Sequence, residues 1–153
     1  MIRVLFVCLG NICRSPMAES VFLHQVRAAG LESEIEVDSA GTGDWHIGNR
    51  PHQGTLEVLR VNGIPEGSRA RQIRLADLDA FDYLVVMDNS NLTNVQKMGP
   101  GRATILRLLD LVPESDAKEV PDPYFTGDFA GTFDLVSRGS AALLSQVRER
   151  HAL

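Results

Sequence analysis

The sequence predicts an α/β fold, a single domain over residues 1–153 in which a parallel sheet is covered by helices on both faces. Three observations predict it. Two short runs, Ile2 to Val7 and Asp82 to Met87, are mostly apolar and rich in branched side chains, as strands buried on both faces are. Between and after them lie segments with helical periodicity and recognisable start and stop residues. Strand and helix alternate along the chain, the order that builds parallel sheets, and 153 residues suit one core.

Taken in order, Ile2 to Val7 is a buried strand followed by a loop. Ser15-Pro16 then opens a helix, with Ser as N-cap and Pro at the first helical position, where its missing N–H is not needed. Glu19 falls in the first turns, where negative charge is favoured. Met17, Val21, Leu23 and Val26 give this helix an apolar face, and Gly30 is its stop. Ile35 to Ala40 alternates like a strand, and Gly41 to Trp45 is a loop. Pro51 to Val61 reads as a helix stopped by Gly63. After the second buried strand, Asn91 to Lys97 is a short helix and Ala103 to Leu109 contains a short strand. Val120-Pro121-Asp122-Pro123-Tyr124 is expected to be non-helical, because each proline biases its predecessor to extended backbone. Phe133 to Arg150 is a long amphipathic helix closing the chain.

Composition removes several function classes. The net charge is −5 and no basic cluster is present, which disfavours a nucleic-acid partner. No apolar stretch approaches the ~20 residues of a membrane helix, and the N-terminal run is too short for a signal peptide. The expected location is the cytoplasm. The two cysteines, Cys8 and Cys13, are too few and too close for a secreted disulfide framework. They read either as two small buried residues or as a reactive thiol with a neighbour. The four histidines, His24, His46, His52 and His151, form no metal-ligand pattern with them, and no cofactor is implied. His24 is expected on a helix surface and His151 in the tail. His46 and His52 are candidates for the rim of a site or for structural roles, and Arg69 and Arg71 for surface or substrate-facing ones.

The segment that carries chemistry is Cys8-Leu9-Gly10-Asn11-Ile12-Cys13-Arg14-Ser15-Pro16. It joins a buried strand to a helix N-terminus, where successive backbone N–H groups and the helix dipole favour an anion. Gly10 permits positive φ and Asn11 tolerates it. A thiolate at Cys8 is favoured in that field. Arg14 offers a planar fork for two oxygens of a phosphoryl group. The Ser15 hydroxyl can cap the helix or donate to the Cys8 sulfur. Nucleophile, anion cradle and charge clamp are what in-line phosphoryl transfer requires. Asp122, on a stiff proline-flanked loop, has the placement of a proton donor. Standing alone it would read as an ordinary turn aspartate.

The stretch from Val7 to Glu19 resembles the signature of the low-molecular-weight protein tyrosine phosphatases. The resemblance continues through Asp38-Ser39-Ala40-Gly41-Thr42, Trp45-His46, Arg69 to Ile73, Phe81-Asp82-Tyr83, Met87-Asp88 with Ser90-Asn91-Leu92, and Pro121-Asp122-Pro123-Tyr124. It implies a three-layer sandwich with a four-stranded parallel sheet flanked by helices, and hydrolysis of phosphotyrosine through a phosphocysteine. By the same resemblance Cys8 is the nucleophile, Arg14 the phosphate clamp and Asp122 the general acid. Asn11 and Ser15 brace the loop and assist the thiolate. Leu9, Gly10, Ile12 and Cys13 complete the substrate-binding loop, and Trp45 and Tyr124 wall the slot. Cys13 is also the neighbour that forms a reversible disulfide with Cys8. Asp88 and Asn91 lie near the site without an assigned step. The implied partner is a phosphotyrosine-bearing protein, a bacterial tyrosine kinase being one candidate substrate. Phe125 stands where many members have a second tyrosine, and Pro51-His52-Gln53-Gly54-Thr55 is similar to a bacterial subgroup.

Rival functions are weaker on these residues. An arsenate reductase of this fold would need further cysteines after Cys13, and none follows. A protein arginine phosphatase would carry Thr where Ile12 stands and would lack the tyrosine after Asp122-Pro123. A non-catalytic phosphoprotein-binding module would keep Arg14 but has no need of Cys8 together with Asp122.

Overall fold

Strand β1 (Ile2–Cys8) is the N-terminal apolar run, and its residues from Val4 onward are buried. Successive side chains leave a strand on opposite faces. Accordingly Val4, Phe6 and Cys8 enter one core, while Leu5 and Val7 enter the other. In the computed structural model, which describes residues 1–153, β1 pairs in parallel with β2 (Ile35–Gly41) and with β3 (Tyr83–Val86). The latter pairs in parallel with β4 (Thr104–Arg107). The sheet has the order β2-β1-β3-β4, giving the four-stranded parallel sheet that the resemblance implies.

Helix α1 (Arg14–Ala28) crosses from β1 to β2. Helices α2 (Gln53–Val61) and α3 (Asp77–Ala80) lie between β2 and β3, and α4 (Asn89–Gln96) lies between β3 and β4. A 3-10 turn at Leu108–Leu111, the short α5 (Pro123–Thr126) and the long α6 (Phe129–His151) complete the chain. The larger core is built from Met17, Phe22 and Val26 of α1 and Val136, Leu143 and Val147 of α6 against β1 and β3. Phe6 and Phe22 meet edge-to-face at 5.5 Å, a geometry worth about 0.5–1.5 kcal/mol beyond area burial. The smaller core lies on the opposite face, where Leu78 of α3 and Val95 of α4 cover Leu5, Val7, Leu84 and Val86. No helix is long and apolar enough to cross a membrane.

The strand order fixes where a ligand site belongs. From β1 the chain moves to β2 on one side, then returns past it to β3 on the other, so the connections leaving β1 and β3 diverge. A crevice opens outside the carboxyl ends of these two strands. Cys8 ends β1, and Met87-Asp88 follow β3, both at that crevice.

Several boundaries differ from expectation for identifiable reasons. Helix α1 begins at Arg14 with Cys13 at its N-cap, so Ser15 is not the cap and Pro16 is the third helical residue. Pro16 still costs nothing there, because the N–H groups of the first turn have no helical partner. Asp122, Asp88 and Asp128 each accept from a backbone N–H and start α5, α4 and α6. The segment expected to be wholly non-helical therefore becomes a single turn from Pro123, with proline at the first position that tolerates it. Helix α6 begins at Phe129 rather than Phe133, and α4 at Asn89 rather than Asn91. Pro51 and His52 precede α2, and the His52 ring nitrogen Nδ1 caps it by accepting from Gly54 N.

Candidate active site

The loop from Cys8 to Arg14 is held by its carbonyl groups. Thr42 N donates to Cys8 O at 2.9 Å, and Gly43 N to Leu9 O at 2.8 Å. On the other side, His52 N donates to Ile12 O at 2.7 Å, and Thr55 Oγ1 to Cys13 O at 3.1 Å. The segment after β2 and the start of α2 thus tie the carbonyls away. No backbone N–H from Leu9 to Arg14 donates to a protein acceptor. Buried N–H groups without a partner are rare, and a row of them at a helix N-terminus makes an anion cradle.

Asn11 sets the loop's shape. Its φ is 56°, left-handed backbone in which Asn is tolerated and most residues are strained. Its amide nitrogen donates to Ser15 Oγ at 2.7 Å and Ser39 Oγ at 3.0 Å, and its oxygen accepts from Arg71 N at 3.0 Å. Ser39 in turn donates to the buried Glu19, whose second oxygen accepts from Ser68 N and Ser68 Oγ. Gly41 lies so close beneath that a Cβ would come within 2.9 Å of Leu9 O.

The Cys8 sulfur lies 3.0 Å from Ser15 Oγ and accepts from Ser15 N at 3.5 Å. Of the two roles open to Ser15, the structure thus shows contact with the thiol and not the helix cap. Cys13 is buried beside it, and both thiols are free. Burial, the Asp122 charge and the Cys8 charge push the Cys13 thiol up to about 12, against a lowering by Arg14.

Arg14 is 2% exposed. Burial works to neutralise its guanidinium, but the charge of Cys8, the hydrogen bond it donates to Asp88 and the charge of Asp122 together raise its pKa, so it stays cationic. Nη1 donates to Asp88 Oδ2 at 2.6 Å and to Val120 O at 2.9 Å. Nη2 reaches Asp122 Oδ2 only at 3.4 Å, and Nε has no partner. One edge of the fork is thus anchored, and the Nε–Nη2 edge remains for a ligand. Asp88 was legible only as a neighbour of the site. It both fixes Arg14 and closes a reciprocal capping box with Asn91. The Asp88-x-x-Asn91 spacing before a helix was the available signal.

A cleft of about 360 Å³ opens over the loop, floored by Cys8, Gly10, Ile12 and Cys13. Its remaining lining is Leu9, Trp45, His46, Asp122, Tyr124 and Phe125. Trp45 is 67% exposed, yet its ring lies against Gly43, where a Cβ would come within 1.9 Å of it. His46 packs over Gly10. Tyr124 faces both His46 and His52, with ring centroids at 6.3 and 6.0 Å. Asp122 Oδ1 accepts from Tyr124 N, while Oδ2 faces Arg14. The structure thus brings together every residue the sequence singled out for the loop and the slot. His46, a rim candidate, lines the cleft, and Asp88, expected nearby, pairs with Arg14; the structure adds Phe125, Glu19 and Thr55 around them.

Other candidates fall elsewhere. Arg71 is a structural cation, paired with Asp38 at 3.1 Å and Asp77 at 2.9 Å. Arg69 donates to Gly48 O on an exposed loop. His24 is exposed on α1. His151 is no loose tail residue, since its Nε2 hydrogen-bonds Tyr83 Oη at 2.8 Å.

A four-stranded parallel sheet with an anion-cradling loop from Cys8 to Arg14, a buried arginine and an aspartate in the lining of the cleft defines a class of cysteine-centred phosphate-binding sites. The chain belongs to the low molecular weight phosphotyrosine protein phosphatase family, whose model matches residues 3–153. It is 50% identical over 156 residues to the low molecular weight protein-tyrosine-phosphatase YfkJ of Bacillus subtilis, covering 100% of both chains. The crystal structure of YfkJ superposes with a TM-score of 0.95, covering 98% of this chain and 96% of that one. A low molecular weight phosphotyrosine protein phosphatase of Schizosaccharomyces pombe is 50% identical over 129 residues, 82% of this chain and 83% of its own. The crystal structure of a Drosophila arginine phosphatase also superposes, with a TM-score of 0.91 at 31% identity, covering 96% of this chain and 98% of that one.

Proposed function

We propose that this chain hydrolyses phosphotyrosine in proteins through a covalent phosphocysteine. The observation that carries the reading is the row of unpartnered N–H groups from Leu9 to Arg14 around the Cys8 sulfur, with Arg14 Nε unpartnered beside it and Nη2 held only by the 3.4 Å contact to Asp122. Together they bind the equatorial oxygens of a phosphoryl group and the charge that builds on them. The Cys8 thiolate attacks phosphorus, the bond to the tyrosyl oxygen breaks in line, and Asp122 delivers a proton to that oxygen. Asp122 then takes a proton from water as the water attacks phosphorus. The S–P bond breaks, returning the thiolate and releasing phosphate. Ser15 donates to the departing sulfur, which the 3.0 Å contact supports. Trp45 and Tyr124 flank the aromatic ring of the substrate. A shorter phosphoserine would leave these walls unfilled.

Ile12 supports phosphotyrosine over phosphoarginine, because it offers the cleft bulk and apolar contact but no hydroxyl for a guanidinium-linked phosphate. The overall fold alone does not separate the two, as the Drosophila neighbour illustrates. The proposed partner is a phosphotyrosine-bearing protein, for which an autophosphorylated tyrosine kinase qualifies. The proposed location is the cytoplasm, where the free thiols of Cys8 and Cys13 stay reduced.

The test is phosphate release from a phosphotyrosine peptide and a phosphoarginine peptide in parallel, with Cys8→Ser as the blank. Cleavage of phosphotyrosine alone, with a dead blank and a rapid-quench phosphoenzyme, is expected. Faster cleavage of phosphoarginine would overturn the substrate class, and activity in Cys8→Ser would overturn the mechanism.

A further inference from the structure

Beyond the catalytic cleft lies a second depression of about 390 Å³, and the two share the wall formed by Leu9 and Trp45. Its remaining lining comes from three separate segments: Thr42 and Gly43 after β2, Gln72 and Ile73 on the way to α3, and Asn94 and Met98 at the end of α4. We propose that this depression is the docking groove for the polypeptide flanking the phosphotyrosine, and that it takes an extended segment with an uncharged, apolar side chain. The inference rests on the phosphotyrosine lying in the cleft over Cys8.

Its floor is rigid. Gly41 N donates to Arg71 O and Ile73 N donates to Gly41 O, both at 2.8 Å, so the 71–73 segment continues the sheet beside β2 as a parallel bridge. The dividing wall is seated on the backbone, because Trp45 lies against Gly43 with no room for a side chain between them. A substrate whose phosphotyrosine ring stacks on one face of Trp45 therefore has its neighbouring residues led over the indole toward the opposite side. The groove and the catalytic cleft thus lie on either side of a shared boundary at Leu9 and Trp45.

The chemistry of the lining selects the occupant. Leu9, Trp45, Ile73 and Met98 give apolar contact, and Thr42, Gln72 and Asn94 are polar but neutral. No charged side chain lines it, so it offers no partner to a charged flank, whose desolvation would go uncompensated. Gln72 is exposed, and its Nε2 donates to Thr42 O at 3.1 Å, which tethers the amide and leaves its oxygen without a protein partner. Asn94 is exposed on the facing helix. A tethered amide on one bank and a second amide on the other suit the N–H and C=O groups of an extended backbone, with the apolar side chain between them.

The experiment compares p-nitrophenyl phosphate, which cannot reach the groove, with two sets of phosphotyrosine peptides. The sets carry Leu, Glu or Lys one to three residues before or after the phosphotyrosine. The parent enzyme is expected to favour one Leu peptide over its Glu and Lys counterparts by about tenfold in kcat/KM. The exposed substitutions Asn94→Arg and Asn94→Glu are expected to leave kcat/KM for p-nitrophenyl phosphate within about twofold. At the same peptide position they should shift preference in opposite directions, Arg toward Glu peptides and Glu toward Lys peptides. Equal kcat/KM for all peptides, or a charge preference unmoved by both Asn94 variants, would overturn the groove. Loss of p-nitrophenyl phosphate hydrolysis in the parent would instead count against the cleft over Cys8, so the two readings fail separately.

Discussion

Asn11 is the residue whose loss the structure prices most clearly. Replacing it by Gly keeps the φ of 56° available and removes the side chain that donates to Ser15 and Ser39 and accepts from Arg71 N. Ser39 still donates to Glu19, and Ser15 still meets Cys8, so neither is fully orphaned. Arg71 N, which is partly buried, loses its acceptor, at about 1–2 kcal/mol, and the two donated bonds to buried hydroxyls add about 1 kcal/mol between them. The expected loss for Asn11→Gly is therefore about 2–3 kcal/mol. Asn11→Ala should lose about 1 kcal/mol more, because alanine is strained in left-handed backbone. Urea unfolding of both variants measures this. Steady-state hydrolysis of p-nitrophenyl phosphate should fall by about 100-fold, as the loop N–H groups lose their common aim. An Asn11→Gly protein with the parental midpoint and rate would refute the bracing argument. Equal midpoints for Gly and Ala would refute the backbone one.

Asp88→Asn keeps the cap on α4 but removes the charge beside Arg14. A charge-assisted bond of this kind is worth about 1.5–3 kcal/mol, so kcat/KM should fall by about tenfold or more, and the thermal midpoint should fall as well because the buried Arg14 cation loses its counter-charge; an unchanged rate and midpoint would show that Val120 O suffices. Burial and the nearby negative charges hold the Cys13 thiol up to about 12, against an ordinary thiol value of 9.0. A group whose folded pKa is raised stabilises fully below its unfolded pKa and loses that contribution as pH climbs through the folded one. Between pH 8 and 10 the parent should lose about 1.4 kcal/mol more stability than Cys13→Ala, read from urea curves, and parallel losses would refute it. Peroxide should inactivate the parent reversibly through a Cys8–Cys13 bridge, with recovery in dithiothreitol. Equal recovery in Cys13→Ala would show the bridge is not needed.

The fold was legible because local signals agreed with the global one. The branched runs at Ile2 and Asp82 could only be buried strands, and Gly30 and Gly63 end helices with φ of 71° and 68°. The catalytic loop was legible because its residues are contiguous. What sequence reasoning missed is non-local. Nothing in Thr42, His52 or Thr55 announces that they fasten carbonyls of a loop some 30 or more positions earlier. Arg71 read as undecided because its partners Asp38 and Asp77 arrive from separate connections. Helix starts were misplaced where an aspartate caps from outside the periodic pattern, since apolar spacing does not register a cap.

The fastening of the Cys8–Arg14 loop has a consequence for how the molecule matures. Its tethers come from the segments around Thr42, His52, Arg71, Asp88 and Val120. These meet only when β3 is in the sheet and the chain beyond β4 has wrapped back. Activity is therefore a readout of complete folding, and no early intermediate can possess it. The same coupling makes inorganic phosphate a natural stabilising additive. At about 100 times its dissociation constant, an anion seated in the loop adds about 2.7 kcal/mol to global stability. Cells rich in phosphate would thus hold this enzyme partly inhibited and, by the same occupancy, better protected from unfolding and proteolysis.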